Sequence, residues 1–202
     1  MDVRVGIVAD THGLFDPALG RHFRGVDRII HAGDIGDVAV IEQLQRIAPV
    51  IAVSGNVDRG QAGRFPAETV IELAGYRIAV RHIVYESGKI RRDAQLFLER
   101  TRPDVCIFGH THKPHIEWIG RLLLFNPGSA GPRRFNLPRS LGLLSIRNED
   151  RQAAHIPLPD RAERLGPADG ARASSDRTRP SSNRVVGHSA QSSKGEAKGG
   201  KR

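Results

Sequence analysis

Three stretches of the chain, Val3–Ala9, Val26–Ala32 and Pro49–Val53, are short, apolar and rich in β-branched residues. Runs of that length and composition read as buried strands. The segments between them read as helices. Asp16-Pro17 supplies a cap and a first-turn proline for a helix reaching about Arg24. Asp37 can cap another over about Val38–Ile47, in which Val38, Ile41, Leu44 and Ile47 recur at a spacing of three. Strand, helix, strand, helix, strand in immediate succession predicts a parallel sheet with right-handed crossovers. No other feature narrows the choice of fold as much.

The rhythm changes after Arg64-Phe65-Pro66. Thr69–Leu73 and Arg77–Arg81 flank Ala74-Gly75-Tyr76, which predicts a hairpin whose second strand runs into His82. Ile90–Arg100 reads as a helix, and Asp104–Phe108 as a strand leading into Gly109-His110-Thr111-His112. His115–Ile119, Leu122–Phe125, Leu141–Arg147 and Gln152–Ile156 complete the expected strands, with a tight turn at Gly120-Arg121. The expected architecture is mixed α/β. A parallel half and a hairpin-rich half would form two sheets packed face to face, with helices outside.

Composition divides the 202 residues at about Arg161. Residues 1–160 carry the apolar runs and a net charge of +3. Residues 161–202 hold ten Lys or Arg against four Asp or Glu, a net +6, with no aromatic residue and one aliphatic pair, Val185-Val186. Such a segment cannot bury enough apolar surface to offset its chain entropy, so 161–202 is expected to be a disordered basic tail. It could touch nucleic acid through phosphates, but it has nothing to stack on bases, and a solubilising extension is the favoured reading. The single cysteine, Cys106, excludes an intrachain disulfide and a cysteine zinc cluster, and its place in an apolar strand marks it as a small buried hydrophobe. The N-terminal residues lack the apolar core of a signal peptide, and no run reaches membrane-spanning length, so a cytoplasmic protein is expected.

Polar residues at the ends of the strands carry the chemistry. Asp10 and His12 follow the first strand, Asp34 the second, Asn56 the third, His82 the hairpin strand, and His110 and His112 the strand after the last helix. In open α/β sheets, ligands bind at the carboxyl ends of the strands. Each residue has an ordinary use on its own: Asp34 could cap a helix, Asn56 hold a turn, His82 sit satisfied in a core. Seven metal-competent side chains, all at strand ends, point instead to a metal site.

The set Asp10-x-His12, Gly33-Asp34, Gly55-Asn56-x-Asp58, His82 and Gly109-His110-x-His112 resembles the calcineurin-like metallophosphoesterase superfamily. The short chain and the Asn126-Pro127-Gly128-Ser129 loop are similar to its small YfcE-type phosphodiesterase branch. The resemblance covers about residues 3–157 and implies a four-layer α/β/β/α sandwich of two mixed sheets. It also implies two divalent metals, manganese foremost, with iron, cobalt, nickel or zinc as alternatives. One would be held by Asp10, His12, Asp34 and His112. The other would be held by Asp34, Asn56, His82 and His110, with Asp34 bridging. Asp34, Asn56 and His110 would serve catalysis through the metals. The implied activity is hydrolysis of small phosphate esters by a hydroxide that the two-metal centre activates. Two cations polarise phosphoryl oxygens, stabilise attacking and leaving oxygens together, and lower the pKa of water.

Two positions depart from the pattern. Ile83 follows His82 where relatives often carry glycine. Val57 occupies the position where many superfamily phosphatases carry a histidine that assists the leaving group. Without that acid, esters with good leaving groups, such as aryl phosphodiesters, should be preferred. Arg59, Arg133 and Arg134 are candidate substrate contacts, Asp58 a brace for its loop and His31 a structural residue. His115 and His155 are not expected to bind metal. The competing function is non-catalytic. A small subunit of the retromer sorting complex resembles the same branch and acts as a scaffold with a degraded site, but its counterparts of Asp34 and Asn56 are altered, whereas here both are intact.

Overall fold

The computed structural model describes residues 2–134, 136–147 and 150–160. The chain divides into two units, Met1–Gly166 and Pro167–Arg202. The second unit lies outside the described residues, as does the whole of the expected tail, 161–202.

Within the first unit, β1 (Val3–Val8), β2 (Arg28–Ala32) and β3 (Val50–Val53) pair in parallel, as the strand–helix alternation requires. On its other side β1 pairs antiparallel with β11 (Arg139–Arg147), which pairs antiparallel with β12 (Asp150–Leu158). The first sheet therefore runs β12-β11-β1-β2-β3. The second holds β4 (Glu68–Leu73), β5 (Tyr76–Arg81), β8 (Val105–Ile107), β10 (Leu122–Asn126) and β9 (His115–Ile119), in the order β4-β5-β8-β10-β9. It is mixed: β8 lies parallel to both β5 and β10, while the two edges are antiparallel hairpins.

Period-two alternation sorts the side chains into layers. Val5, Ile7 and Ala9 of the first strand, with Ile30 and Ala32, meet Ile78, Val80, Val105, Ile107 and Phe125 between the sheets. The opposite face of the first sheet, including Val8 and Ile29, packs on Leu19 of α1 (Ala18–His22) and on Ile41 and Leu44 of α2 (Val38–Gln45). Ala79, Cys106 and Leu124, on the far face of the second sheet, pack on Ala94 and Phe97 of α3 (Arg92–Thr101). The result is the expected four layers, α/β/β/α. Cys106 is fully buried, and burial pushes its thiol up to about 12.

Several element bounds differ from expectation, and three of the differences have a visible cause. The helix after Asp16-Pro17 ends at His22 rather than Arg24. Asp16 still accepts from the Ala18 N–H at 2.9 Å, but its other oxygen binds the buried Arg139 guanidinium at 2.8 Å. The helix expected from Ile90 begins at Arg92, because Ile90 pairs with Tyr85 in a short hairpin of β6 (Tyr85–Glu86) and β7 (Lys89–Ile90). The final strand extends two residues past Gln152–Ile156 at each end, since β11 pairs with it along its whole length. Among the described residues, no helix is long and apolar enough to cross a membrane.

Candidate metal centre

β1 and β2 continue to pair beyond their formal ends, and that extension builds the first part of the site. The Asp10 N–H donates to Gly33 O at 3.0 Å, the His12 N–H to Asp34 O at 3.0 Å and the Gly13 N–H to Ile35 O at 2.7 Å. The backbone leaves strand geometry here. Asp10, His12, Asp34, His110 and His112 all have φ between 46° and 70°, the left-handed region. Non-glycine residues enter that region rarely and at a cost, and such positions cluster at functional sites.

The other loops are tied to this frame. Gly109 lies so close to the first strand end that a Cβ there would stand 2.8 Å from Ala9 Cβ and 2.9 Å from Asp10 Oδ2. Glycine is required for that approach. It brings the His110 N–H to both carboxylate oxygens of Asp10, at 3.2 and 3.1 Å. Asn126 holds the same loop from behind, its amide donating to Gly109 O at 2.8 Å and to Thr111 Oγ1 at 3.1 Å. Asp58 acts as the expected brace. Its carboxylate accepts from the N–H groups of Ile35 (3.1 Å), Gly36 (2.8 Å) and Gly55 (2.7 Å), joining the loops that carry Asp34 and Asn56.

The seven candidate side chains converge in two overlapping groups. The donor atoms of Asp10, His12 and His112 lie within 4.8 Å of one another, and so do those of Asp10, Asp34 and His82. His12 Nε2 and His112 Nε2 are 3.3 Å apart. Asn56 Oδ1 stands 3.1 Å from both His82 Nε2 and His110 Nδ1, which joins the remaining two residues to the second group. Asp10 is common to both clusters. Asp34 presents Oδ2 to His82 Nε2 at 3.3 Å, while its Oδ1 accepts from the Val57 N–H at 3.0 Å.

His82 gives the sharpest test of whether this donor set suits a cation. Its Nδ1 lies 2.7 Å from Ala32 O. A carbonyl can only accept, so Nδ1 carries a proton, and Nε2 is the nitrogen turned into the site. Nε2 faces Asn56 Oδ1 at 3.1 Å, Asp34 Oδ2 at 3.3 Å and Asp10 Oδ1 at 3.9 Å. A nitrogen surrounded by oxygens is a place for a positive charge, a proton or a metal ion, and a histidine anchored through its other nitrogen is the usual second support of a metal ligand. Oxygen and imidazole donors together suit a divalent transition ion.

Proton affinities follow the same logic. Burial opposes a charged His82, but the Asp34 hydrogen bond and the charges of Asp10 and Asp34 outweigh it, so its pKa is raised. Burial likewise opposes ionised Asp34, but His82 and the Val57 N–H hold its carboxyl down at about 2. His12 is lowered by burial and then by the charge of Arg134, and His110 by burial and then by His82.

The remaining candidates fall into place. The Arg59 guanidinium turns back onto Asn56 O and Asp58 O at 3.1 and 2.8 Å, a loop staple. Arg133 pairs with Asp160. His115 binds Glu117 at 3.0 Å, and His155 lies 2.8 Å from Asn126 O. His31 is fully buried, with Nε2 2.8 Å from Thr11 Oγ1. Thr11 spends its own proton on Ile35 O at 3.0 Å, so His31 must donate, and it thereby anchors the residue between Asp10 and His12. Sequence reasoning missed the supporting role of Asn126, although the turn-forming Asn-Pro-Gly signal was visible.

Comparison with known proteins gives the family. Residues 3–149 match the calcineurin-like phosphoesterase superfamily domain. A probable metallophosphoesterase of Methanothermobacter thermautotrophicus is 34% identical over 158 residues, covering 75% of this chain and 91% of the relative. Another from Methanocaldococcus jannaschii is 36% identical over 165 residues, covering 77% and 82%. Among solved structures, an archaeal phosphodiesterase superposes with a TM-score of 0.62 at 22% identity, covering 77% of this chain and all of its own. A single-mutant Vps29 of Entamoeba histolytica superposes equally well, at 0.62 and 19% identity, covering 78% and 100%. The chain belongs to the calcineurin-like phosphoesterase superfamily.

Proposed function

We propose that this protein is a metal-dependent phosphodiesterase that hydrolyses small phosphate esters in the cytoplasm. The reading rests on one observation above the rest: His82 is locked by Ala32 O so that its Nε2 meets three oxygens from three different loops. Asp10, His12, Asp34, Asn56, His82, His110 and His112 would hold two divalent metals, manganese being the first to test, and Asp10 or Asp34 would be shared between them. Such ions supply Lewis-acid polarisation of the phosphoryl group and water of lowered pKa.

The chain's own residues have distinct tasks. The backbone N–H of His110 and the frame around Asp10 fix the orientation of a carboxylate that both clusters share. Arg134, whose charge bears on His12, adds positive potential where an anionic ester must approach. Val57, 46% exposed, offers no proton to a departing alkoxide. Leaving groups of low pKa, such as aryl alcohols, are then favoured over simple alkyl ones.

A second reading, a scaffold without catalysis, is favoured by the likeness to Vps29. The deciding experiment is hydrolysis of an aryl phosphodiester with added manganese, by wild type and Asp34→Asn. Metal-dependent turnover that the substitution abolishes supports the phosphodiesterase. A wild type that binds none of several metals and turns over no ester supports the scaffold.

A further inference from the structure

One concavity has candidate metal ligands in its lining, another has the residue between two of them, and the two differ in kind. One, of about 240 Å³, includes Asn56 and His82 in its lining, but the four charged residues of its wall are already matched to each other. Arg81 pairs with Glu68 and Asp93, and Arg91 with Asp93. The other, of about 380 Å³, lies beside Thr111. Thr111 is the residue between His110 and His112, about 3.8 Å in Cα spacing from each. This second cavity is walled by Tyr85, Phe108 and His115, with Lys113 the one formally charged residue of its lining.

Its aromatic wall is fixed before any ligand arrives. The Tyr85 ring packs 5.6 Å from Phe108 and 5.2 Å from His115, centroid to centroid. The Tyr85 hydroxyl donates to Glu117, and Glu117 also holds His115 Nε2 at 3.0 Å. Both rings that remain partly open to the cavity are thus pinned through one carboxylate on β9. The β6–β7 turn, Ser87-Gly88, closes another side. A rigid aromatic wall in a cavity of this size binds flat rings well, because little side-chain freedom is lost on stacking. Neither Glu117 nor Tyr85 is among the candidate metal ligands, and Tyr85 packs on the core beneath it while keeping part of its ring exposed.

We infer that the cavity walled by Tyr85, Phe108 and His115 is the subsite for a planar aromatic group on one arm of the phosphodiester, an aryl ring or a nucleobase. This rests on the phosphodiesterase reading and adds the substrate class to it. It is separate from the leaving-group argument at Val57, because it concerns binding before any bond breaks.

Non-hydrolysable probes keep the two apart. Phenylphosphonate, methylphosphonate and the 5′-methylenephosphonate analogue of adenosine 5′-monophosphate are titrated calorimetrically into manganese-supplemented wild type, Tyr85→Phe, Tyr85→Ala and His115→Ala. Wild type should bind phenylphosphonate or the nucleotide analogue at least about tenfold more tightly than methylphosphonate, the size of one ring-stacking contact. Whichever ring-bearing probe binds more tightly identifies the arm. Tyr85→Phe keeps the ring but frees it from Glu117 and should lose part of the preference, whereas Tyr85→Ala should lose most of it. If Tyr85→Ala fails to fold, loss of preference in His115→Ala carries the same meaning. Equal binding of all three probes by wild type, binding of none, or an equal loss of all three in a folded wall variant overturns the subsite. Phenylphosphonate binding by a wild type that turns over no ester would overturn the phosphodiesterase reading and leave the subsite standing.

Discussion

Removing the Asp58 carboxylate should loosen the two loops that carry Asp34 and Asn56. In Asp58→Ala, three backbone N–H groups lose a charged acceptor at 2.7–3.1 Å. The bond to Ile35 is buried, and a hydrogen bond to a charged group is worth about 1.5–3 kcal/mol net. The bonds to Gly36 and Gly55 are half-buried, so water recovers part of them, leaving a loss of about 0.5–1.5 kcal/mol each. The total is about 2.5–6 kcal/mol, a large share of the ~5–15 kcal/mol that holds a domain folded. With a urea dependence of about 2 kcal/mol per molar, the unfolding midpoint of the metal-free protein should fall by roughly 2 M. Asp58→Asn, which keeps one accepting oxygen, should lie between the two. Manganese affinity should fall about 10–100-fold, since Asp34 and Asn56 are the immediate neighbours of the freed amides. A midpoint for Asp58→Ala within about 0.5 M of wild type would refute the argument that this carboxylate joins the loops.

His31 is neutral in the folded protein because burial brings its pKa down to about 3, while in the unfolded chain it titrates near 6.5. Its contribution is therefore complete above pH ~6.5 and lost as pH falls towards 3, at up to about 1.4 kcal/mol per pH unit. His31→Gln should give a shallower stability–pH curve by chemical denaturation of metal-free protein over that window, and parallel curves would contradict the assignment. Gly109→Ala should destabilise by about 1–3 kcal/mol, since the new methyl meets Ala9 and Asp10 at under 3 Å, and calorimetry should show weaker manganese binding. Wild-type stability and affinity in that variant would show that the loop can move aside. Val57→His should raise kcat for alkyl esters by roughly 10²-fold at most and leave aryl esters nearly unchanged, and equal gains on both would remove the leaving-group argument.

Much of this was legible in the sequence for a physical reason. β1, β2 and β3 are buried on both faces, so they announce themselves as unbroken apolar runs, and the polar residues that end those runs are the ones that converge. The β6–β7 hairpin was not legible, because two residues a side carry no periodicity. The start of α3 was misplaced for the same cause: Ile90 fits a helical pattern but is captured by Tyr85. Sharing of Asp10 between the clusters depends on how closely the β8 loop approaches β1, through Gly109, and spacing along the chain does not encode that distance. Arg59 looked like a substrate contact because an exposed guanidinium and a loop staple have the same sequence signature.

The left-handed backbone at Asp10, His12, Asp34, His110 and His112 has an evolutionary side. A side chain at each of these positions is held against its conformational preference whether or not a cation is present. A descendant freed from chemistry could replace any of them with glycine and gain backbone relief as it lost the donor. Stability would then favour erosion of the site, and selection for catalysis is what opposes it.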